Sequence, residues 1–217
     1  MVTGSGNIAS ETRPLEDWTA VSLACPGTLE LTIGANNGID IEAEDNILPL
    51  IETAVEGGRL VIRFTSGLRQ IRPTQPIHFR AATPEIEAIA VSGSGDVRAP
   101  EIAGEALALD VSGSGRITVA GASLGSLDTR ISGSGDVSIQ GNASEHEIHV
   151  SGSGNLRAGD LASQRAHVTI SGSGSAIVRV EREIEGRISG SGSIVYSGQP
   201  SVDVRVSGSG RAVQMPG

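Results

Sequence analysis

The sequence contains no lysine, one cysteine, four aromatic residues and no long hydrophobic run. All 16 basic residues are arginines, and 25 acids give a formal net charge of −9. Phosphate backbones and anionic membranes are bound by clustered positive charge, so this balance argues against nucleic acid as a partner. No stretch approaches the ~20 apolar residues of a membrane-spanning helix.

Cys25 is the single cysteine, which excludes an internal disulfide. We expect it to be a partly buried small hydrophobic residue beside Pro26 rather than a nucleophile. The first residues, Met1 to Ser5, lack the charged and apolar leader of an exported protein. Two interpretations stay open: a cytosolic protein, or an exported one whose leader has been removed.

The tetrapeptide Ser-Gly-Ser-Gly occurs seven times, at intervals of 20, 20, 19, 20, 18 and 18 residues. The copies begin at Ser92, Ser112, Ser132, Ser151, Ser171, Ser189 and Ser207. A near-constant short period is typical of solenoids, in which each repeat stacks on the previous one.

The residues around each motif alternate with a period of two, as in a strand with one buried face. The position just before the motif is always aliphatic: Val91, Val111, Ile131, Val150, Ile170, Ile188 and Val206. One residue earlier the position is mostly polar: Ala90, Asp110, Arg130, His149, Thr169, Arg187 and Arg205. The position two after the motif is aliphatic again: Val97, Ile117, Val137, Leu156, Ala176, Ile194 and Ala212. Two strands and two turns in about 20 residues predict an all-β fold, a parallel β-helix; a propeller blade needs ~40 residues.

Glycine in the motif permits the positive φ of a tight corner, and corners stacked ~4.8 Å apart leave no room for larger side chains. A second, less regular turn is predicted in each coil, for example at Ala103-Gly104 and Gly141-Asn142. No cap is recognisable after Ala212 and Val213, so we expect an open edge that could pair with another chain.

Residues 1–90 repeat less regularly, and we treat 1–217 as one elongated domain with regular coils over 91–217. Alternation predicts strands at Thr28–Ile33, Ile39–Ala43, Arg59–Phe64 and Ile77–Ala81. Four local predictions complete this region: an initial corner at Thr3–Gly6, a helical turn at Ile47–Ile51 capped by Asp45-Asn46, a hairpin turn at Gly57-Gly58, and an exposed loop at Gly67–Pro76.

Several of these segments together resemble a known family. They are Gly4–Ile8, Glu11–Arg13, Trp18–Val21, Ile41–Asn46, Gly58–Ile62, Thr83–Ile86 and Val91–Val97. The pattern is similar to the bacterial family called putative auto-transporter adhesin, head GIN domain, over almost the whole chain. That resemblance implies an extracytoplasmic, pectin-lyase-like superhelix of two sheets, a right-handed parallel β-helix without an established catalytic site, and a role in adhesion.

A cluster of possible metal ligands lies at Glu147, His149 and His167. Glu147 and His149 should face outward on one strand, and His167 should stack on Glu147 one coil later. Two imidazoles and a carboxylate are ligand types for zinc or nickel, but a solvated face is the commoner explanation, so no metal or other cofactor is assigned. His146 falls in an otherwise apolar column, where we expect partial burial with a hydrogen bond.

No catalytic residues are assigned, because the acids scatter over different columns instead of clustering as in β-helix enzymes that cleave polysaccharides. Arg130 should stack on Asp110, and Arg116 should lie between Asp96 and Asp136, as charge ladders between coils. The leading hypothesis is a non-enzymatic envelope or surface protein whose rigid β-helix binds a cell-surface or glycan ligand. A polysaccharide-active protein and a scaffold that self-assembles through its terminal coil are the alternatives.

Overall fold

The computed structural model describes residues 1–35, 38–66 and 70–215. Its regular elements there are eighteen β-strands and one 3₁₀ helix. The strands before the first motif are β1 (Val2–Thr3), β2 (Ile8–Arg13), β3 (Ala20–Leu23), β4 (Thr28–Ile33), β5 (Ile39–Glu44), β6 (Ile51–Glu56), β7 (Arg59–Phe64), β8 (Ile71–Arg72), β9 (His78–Thr83) and β10 (Ala88–Gly93), with the 3₁₀ helix at Leu48–Leu50. The later strands are β11 (Asp96–Gly113), β12 (Arg116–Gly133), β13 (Asp136–Gly152), β14 (Asn155–Gly172), β15 (Ser175–Gly190), β16 (Ser193–Ser197), β17 (Ser201–Gly208) and β18 (Arg211–Gln214).

Strands β10 to β18 wind into the predicted parallel β-helix. Each coil pairs in parallel with the next, and the residues before the motif are in register from Val91 through Val111, Ile131, Val150, Ile170 and Ile188 to Val206. The first six of these side chains are at most 1% exposed, so aliphatic residues line a continuous interior. Val206, on the last coil, is 43% exposed.

Each coil has two walls, which we name by their direction relative to the motif. The incoming wall leads into the motif and contains Leu107–Val111 in its first long strand; the outgoing wall leaves the motif and begins there at Asp96–Ala99. Side chains of both walls alternate between the interior and the outside, as the sequence predicted.

The motif corners stack with very close backbone contact. The carbonyl of Gly93 accepts hydrogen bonds from the amides of Ser114 (2.8 Å) and Gly115 (2.9 Å) one coil later. The first glycine of each motif has a positive φ, 123° at Gly172, whereas the second glycine does not. A Cβ on the second glycine Gly174 would still lie 2.4 Å from the Gly154 carbonyl oxygen of the coil below. From the second motif onward the first glycine is therefore required by conformation and by packing, at Gly93 by conformation alone, and the second glycine by packing alone.

The second corner absorbs the differences in coil length. The strands continue through it, but the pairing shifts there, between Val119 and Ala122 and again between Ala158 and Ala162. Gly141 takes a φ of 120° at this corner. Because the shifts fall here, the motif corners stay aligned although the coils vary between 18 and 20 residues. The predicted second turn at Gly141-Asn142 is confirmed as an irregular corner, whereas Ala103 and Gly104 stay within β11 in regular register with Ser123 and Leu124.

The coil below the first motif turns through a corner of different sequence. Strand β3 pairs with β10, and β4 pairs with β11, so the segment between them lies under Ser92–Gly95. The amide of Asp96 donates to the carbonyl of Gly27 (2.9 Å). In later coils the residue after each motif likewise donates its amide to a glycine carbonyl of the coil below. Cys25 lies in this corner and is 2% exposed, more buried than predicted. Burial raises the pKa of its thiol to about 12, so it stays protonated.

Antiparallel strands close the N-terminal end of the helix. Strand β2 pairs antiparallel with β5, and β6 with β7 through Gly57-Gly58, which confirms the hairpin. Glu44 connects two segments that are distant in the sequence. Its carboxylate accepts hydrogen bonds from the Gly6 amide (2.8 Å) and the Thr74 amide (2.8 Å). Burial raises the pKa of Glu44, but the hydrogen bonds from Thr74, Gly6 and Gln75 outweigh it and lower the pKa to about 2.

Three local predictions for the first ninety residues need correction. The 3₁₀ helix forms, but no side chain caps it; instead the Asn46 side chain accepts from the Ser5 amide (2.9 Å), and Asp45 accepts from the Ser5 hydroxyl. The turn at Thr3–Gly6 packs on Glu44, so it is not a corner of the stack. The predicted loop Gly67–Pro76, of which 67–69 lie outside the described residues, includes β8, paired with β1.

Val111 and Arg130 provide a test of the inward and outward assignment. Val111 is fully buried, and the Arg130 side chain is 51% exposed. We expect Val111→Asp to lower the free energy of unfolding by more than about 4 kcal/mol, because it buries an unpaired charge. Arg130→Ala should cost less than about 1 kcal/mol. Urea denaturation measures both, and equal effects would contradict the assignment.

Two glycines separate conformational strain from corner packing. Gly93 (φ 114°) and Gly172 (φ 123°) have similar backbones, but a Cβ meets nothing within 4 Å at Gly93 and lies 2.5 Å from the Gly152 oxygen at Gly172. We expect Gly172→Ala to destabilise the protein by about 1–3 kcal/mol more than Gly93→Ala, since only the former overpacks the stack. Thermal and urea unfolding of both variants measure the difference; equal losses would show that strain alone matters.

Candidate functional site

Charged side chains are concentrated on the outside of the incoming wall. We call this surface the charged face; it comprises Asp110, Asp128, Arg130, Glu145, Glu147, His149, Arg165, His167, Glu183, Glu185, Arg187, Asp203 and Arg205. The strand alternation places these residues outward because the residues between them fill the aliphatic interior. Three of the four histidines of the chain, His146, His149 and His167, lie on this wall.

Ion pairs run across and along the strands of the charged face. Arg165 on β14 contacts Glu145 on β13 (2.5 Å) and Glu183 on β15 (3.8 Å), which links three successive coils. Arg130 stacks on Asp110 as predicted, but its ion pair forms with Asp128 on its own strand (2.5 Å). These side chains are largely solvated, so each pair contributes about 0–1 kcal/mol and leaves charge available for a ligand.

Arg116 of the outgoing wall occupies the predicted position between Asp96 and Asp136. Its guanidinium lies 3.8 Å from the Asp136 carboxylate, which Arg157 of a later coil also approaches (3.5 Å). Nearby outward positions carry hydroxyl and amide side chains, such as Thr118 and Ser138. Ionic residues are therefore sparser on this wall than on the charged face.

Glu147, His149 and His167 lie where the sequence predicted. Glu147 is opposite His167 in register, and its carboxylate is 2.9 Å from His149 Nε2. His167 Nδ1, however, lies 3.3 Å from Glu185 on the next coil. In the described part of the chain no group of three or more His, Cys, Asp or Glu side chains is placed to hold a metal ion.

Glu147 remains ionised at neutral pH. The hydrogen bond with His149 is the largest effect on its pKa and lowers it. Burial, next in size, raises the pKa, and weaker attractions to His149, His167 and Arg130 lower it further. A carboxylate in this state can attract a cation or accept hydrogen bonds. It does not have the raised pKa that a carboxylic acid needs to donate a proton near neutral pH.

Three shallow, solvent-open grooves adjoin along the charged face. The central groove, about 270 Å³, is lined by Glu145, Glu147, Arg165, His167, Glu183 and Glu185 among others. A groove of about 600 Å³ on the N-terminal side shares Glu145 and Glu147 with it. A groove of about 360 Å³ toward the C-terminus shares His167 and Glu185 and adds Arg187, Asp203 and Arg205. The shared residues make these grooves one continuous surface.

His146 lies beneath this surface, inside the β-helix. The sequence predicted partial burial, but the side chain is only 2% exposed, in line with Leu127 and Ala166. Its Nε2 is 3.1 Å from the hydroxyl of Thr129, which occupies an otherwise aliphatic interior column. Its Nδ1 has no hydrogen-bond partner among the described residues. Burial lowers the pKa of His146 to about 3, so the ring is neutral at physiological pH.

Sequence reasoning missed Arg165 and its two carboxylate partners as members of the site. The spacing held the signal, because Glu145, Arg165 and Glu183 occupy one outward column on successive coils. The sequence comparison stopped five residues before the first serine of each motif. This column lies six residues before that serine, so it was not compared.

Comparisons with known proteins agree with this geometry. The model of the family described as putative auto-transporter adhesin, head GIN domain, matches residues 17–200. A crystal structure of a putative adhesin from Bacteroides fragilis has a TM-score of 0.92 at 22% identity, covering 99% of this chain and 100% of that one.

Two Parabacteroides proteins are also similar in structure. One, from Parabacteroides distasonis, is described as a putative lipid binding protein (TM-score 0.82, 22% identity, 99% of each chain covered). The other, a putative adhesin from Parabacteroides merdae, has a TM-score of 0.75 at 19% identity, again with 99% of each chain covered. At these identities the likeness establishes the fold alone. Among curated proteins, no relative matches the sequence.

The buried imidazole gives the protein a specific sensitivity to acid. His146 has a pKa of about 3 when folded and about 6.5 when unfolded, so the unfolded state binds an extra proton between these values. Stability should therefore fall as the pH drops from about 6.5 toward 3, by up to about 1.4 kcal/mol per pH unit from this group.

We expect the double variant His146→Leu with Thr129→Val to lose this contribution. Urea denaturation from pH 7 to pH 4 should show a shallower decline in its free energy of unfolding than in the wild type. His149→Leu, an exposed histidine on the same strand, is the matched control. Parallel pH curves for the double variant and the wild type would contradict the assignment.

Proposed function

Because the chain belongs to the putative auto-transporter adhesin, head GIN domain family, we propose that it is a non-catalytic, adhesin-like protein of the cell envelope. It acts outside the cytoplasm and presents one wall of a rigid β-helix to a ligand on a cell surface, which can be a glycan. In the described ranges no helix has the length and hydropathy needed to span a membrane.

The charged face is the observation that carries this proposal. Its grooves share residues along the incoming wall, and Arg165 connects three coils in the central groove. Parallel strands with aligned corners hold these charges at fixed spacings of about 4.8 Å, so a ligand meets a preformed surface and little ordering free energy is lost. Alternating carboxylates and guanidinium groups suit a polar or zwitterionic partner.

The state of the acidic residues supports a binding role rather than an enzymatic one. Polysaccharide-cleaving enzymes use one carboxylic acid that stays protonated and a second that stays ionised. On the charged face Glu147 is paired with His149, and its pKa is lowered. Glu145 and Glu183 are paired with Arg165. The hydrogen bond from His149 favours the ionised form of Glu147, the opposite of what a catalytic acid requires.

Self-association is a second candidate role, favoured by the terminal coil. Its hydrophobic side chains Val202, Val206 and Val213 are 47%, 43% and 42% exposed, respectively. Exposed aliphatic residues at an unpaired strand edge promote contact with another chain. An adhesin that pairs in this way would present two charged faces to a surface and gain avidity.

Arg165 and Arg179 provide a matched test of the charged face. Both side chains are 53% exposed and both form surface ion pairs, but Arg165 lies on the charged face and Arg179 on the outgoing wall. Binding is measured with fluorescently labelled protein on whole cells, matrix proteins and a glycan array. Arg165→Glu should lower the affinity at least about tenfold, because a carboxylate then replaces the central cation. Arg179→Glu should bind like the wild type.

The outcome is interpretable whichever ligand is found. Equal binding by both variants would remove the charged face as the binding surface. Binding of neither the wild type nor the variants to any probe would remove the adhesin proposal itself. Release of reducing sugar from a bound glycan would show that the protein is an enzyme.

A further inference from the structure

We propose that the protein forms a closed, two-fold dimer in which the terminal coils of two copies pair antiparallel through β17, centred on Val204. The inference deepens the second candidate role above by specifying the partner, the symmetry and the facing residues. It does not depend on whether the charged face binds a ligand.

The two ends of the β-helix differ in how they close the interior. At the N-terminal end, Trp18, Ile47, Leu48 and Ile51 are at most 8% exposed. Arg13 covers this end as well, since its guanidinium donates to the carbonyls of Ile51 (2.6 Å) and Leu48 (3.2 Å). The interior is therefore sealed there by packed side chains and by these two hydrogen bonds of Arg13.

The C-terminal end leaves the same interior open. Strand β17 pairs with β15 on one side, and among the described residues no strand pairs with its other side; the same holds for β18 beyond β16. Val206 continues the interior column of Ile188, yet it is 43% exposed, whereas Ile188 is fully buried. A contact that covers this interior must involve the C-terminal end of one copy, and a second copy offers the same exposed valines, Val202, Val206 and Val213, at its own C-terminal end.

The sequence of β17 is self-complementary when the strand is reversed. Antiparallel pairing about Val204 places Val202 opposite Val206 of the second copy, and Asp203 opposite Arg205 of the second copy. By symmetry each of these pairs occurs twice. Cross-strand pairs of opposite charge or of β-branched residues stabilise antiparallel strands by about 0.2–1 kcal/mol each.

The same symmetry keeps the two interiors continuous. A two-fold axis midway between the two Val204 residues, perpendicular to the incoming wall, reverses the strand direction but leaves inward side chains facing inward. The valines of both copies then extend one aliphatic core, while Asp203 and Arg205 stay on the outside. Because the contact uses the same surface on both copies, it is complete at two chains, whereas a head-to-tail contact would continue into a filament.

Charge reversal tests the facing pairs. Asp203→Arg and Arg205→Asp each place like charges opposite one another in a dimer of identical chains, so each variant should dissociate at least about tenfold more readily than the wild type. An equal mixture of the two variants should restore a dimer with one chain of each kind, because every facing pair is then of opposite sign. Sedimentation velocity and mass spectrometry of the mixture measure these states.

A matched control is available on an interior coil. Asp128 and Arg130 occupy the same two columns and form the same kind of ion pair along the strand (2.5 Å, against 3.6 Å for Asp203 and Arg205). Asp128→Arg and Arg130→Asp should leave the mass in solution unchanged, which separates the facing contact from the loss of an ion pair within one chain.

Four results would overturn the proposal. Two concern the wild type: a protein that stays monomeric at high concentration, or a mass that grows beyond two chains. The other two are charge-reversal variants that dimerise like the wild type, and an equal mixture of Asp203→Arg and Arg205→Asp that stays monomeric. The association state of Arg165→Glu, whose change lies on the charged face and outside β17, is a separate readout. A dimeric wild type that shows no adhesion would remove the adhesin proposal alone, and adhesion by a monomeric wild type would remove the dimer alone.

Discussion

The close contact between stacked glycine corners is the constraint on which the rest of the structure depends. From Gly93 to Gly190, each first-glycine carbonyl accepts a hydrogen bond from an amide of the next coil, as Gly93 does from Ser114 and Gly115. A Cβ at most of the first glycines would overlap the corner below. This contact fixes the corners at the strand spacing and sets the register of both walls. Every aliphatic column, and every outward charge, then follows from the position of its residue relative to the motif.

Coil length can vary because the second corner is not under the same constraint. The pairing shifts fall near Val119 and Ala158, far from the glycine corners, so a coil can lose one or two residues without moving the incoming wall. The charged face therefore remains a straight array of columns. Changes in coil length are confined to the second corner, so the charges on the incoming wall keep their spacing. A constant spacing suits a surface used for recognition.

One polar pair interrupts the aliphatic interior directly beneath the charged face. His146 and Thr129 hydrogen-bond there, and burial keeps the imidazole neutral. The exposed His149 and His167 lie instead beside carboxylates at the surface. Three histidines close together in the fold thus have different surroundings: one affects stability toward acid, and the other two contribute to the charge of the outer surface.

The sequence by itself determined the β-helix, the inward and outward columns from Val91 to Val206, and the placement of Glu147, His149 and His167, because a repeat of constant period imposes one environment on each column. It predicted less well where no repeat operates. The corner at Cys25, the hydrogen bonds of Asp45 and Asn46 to Ser5, and the Glu44 contacts with Gly6 and Thr74 join residues far apart in the chain. The open C-terminal edge was expected from the lack of a cap after Val213. Only the tertiary structure decided the contacts just named, the full burial of His146 and the closure of the N-terminal end, since each depends on which segments lie next to one another in space.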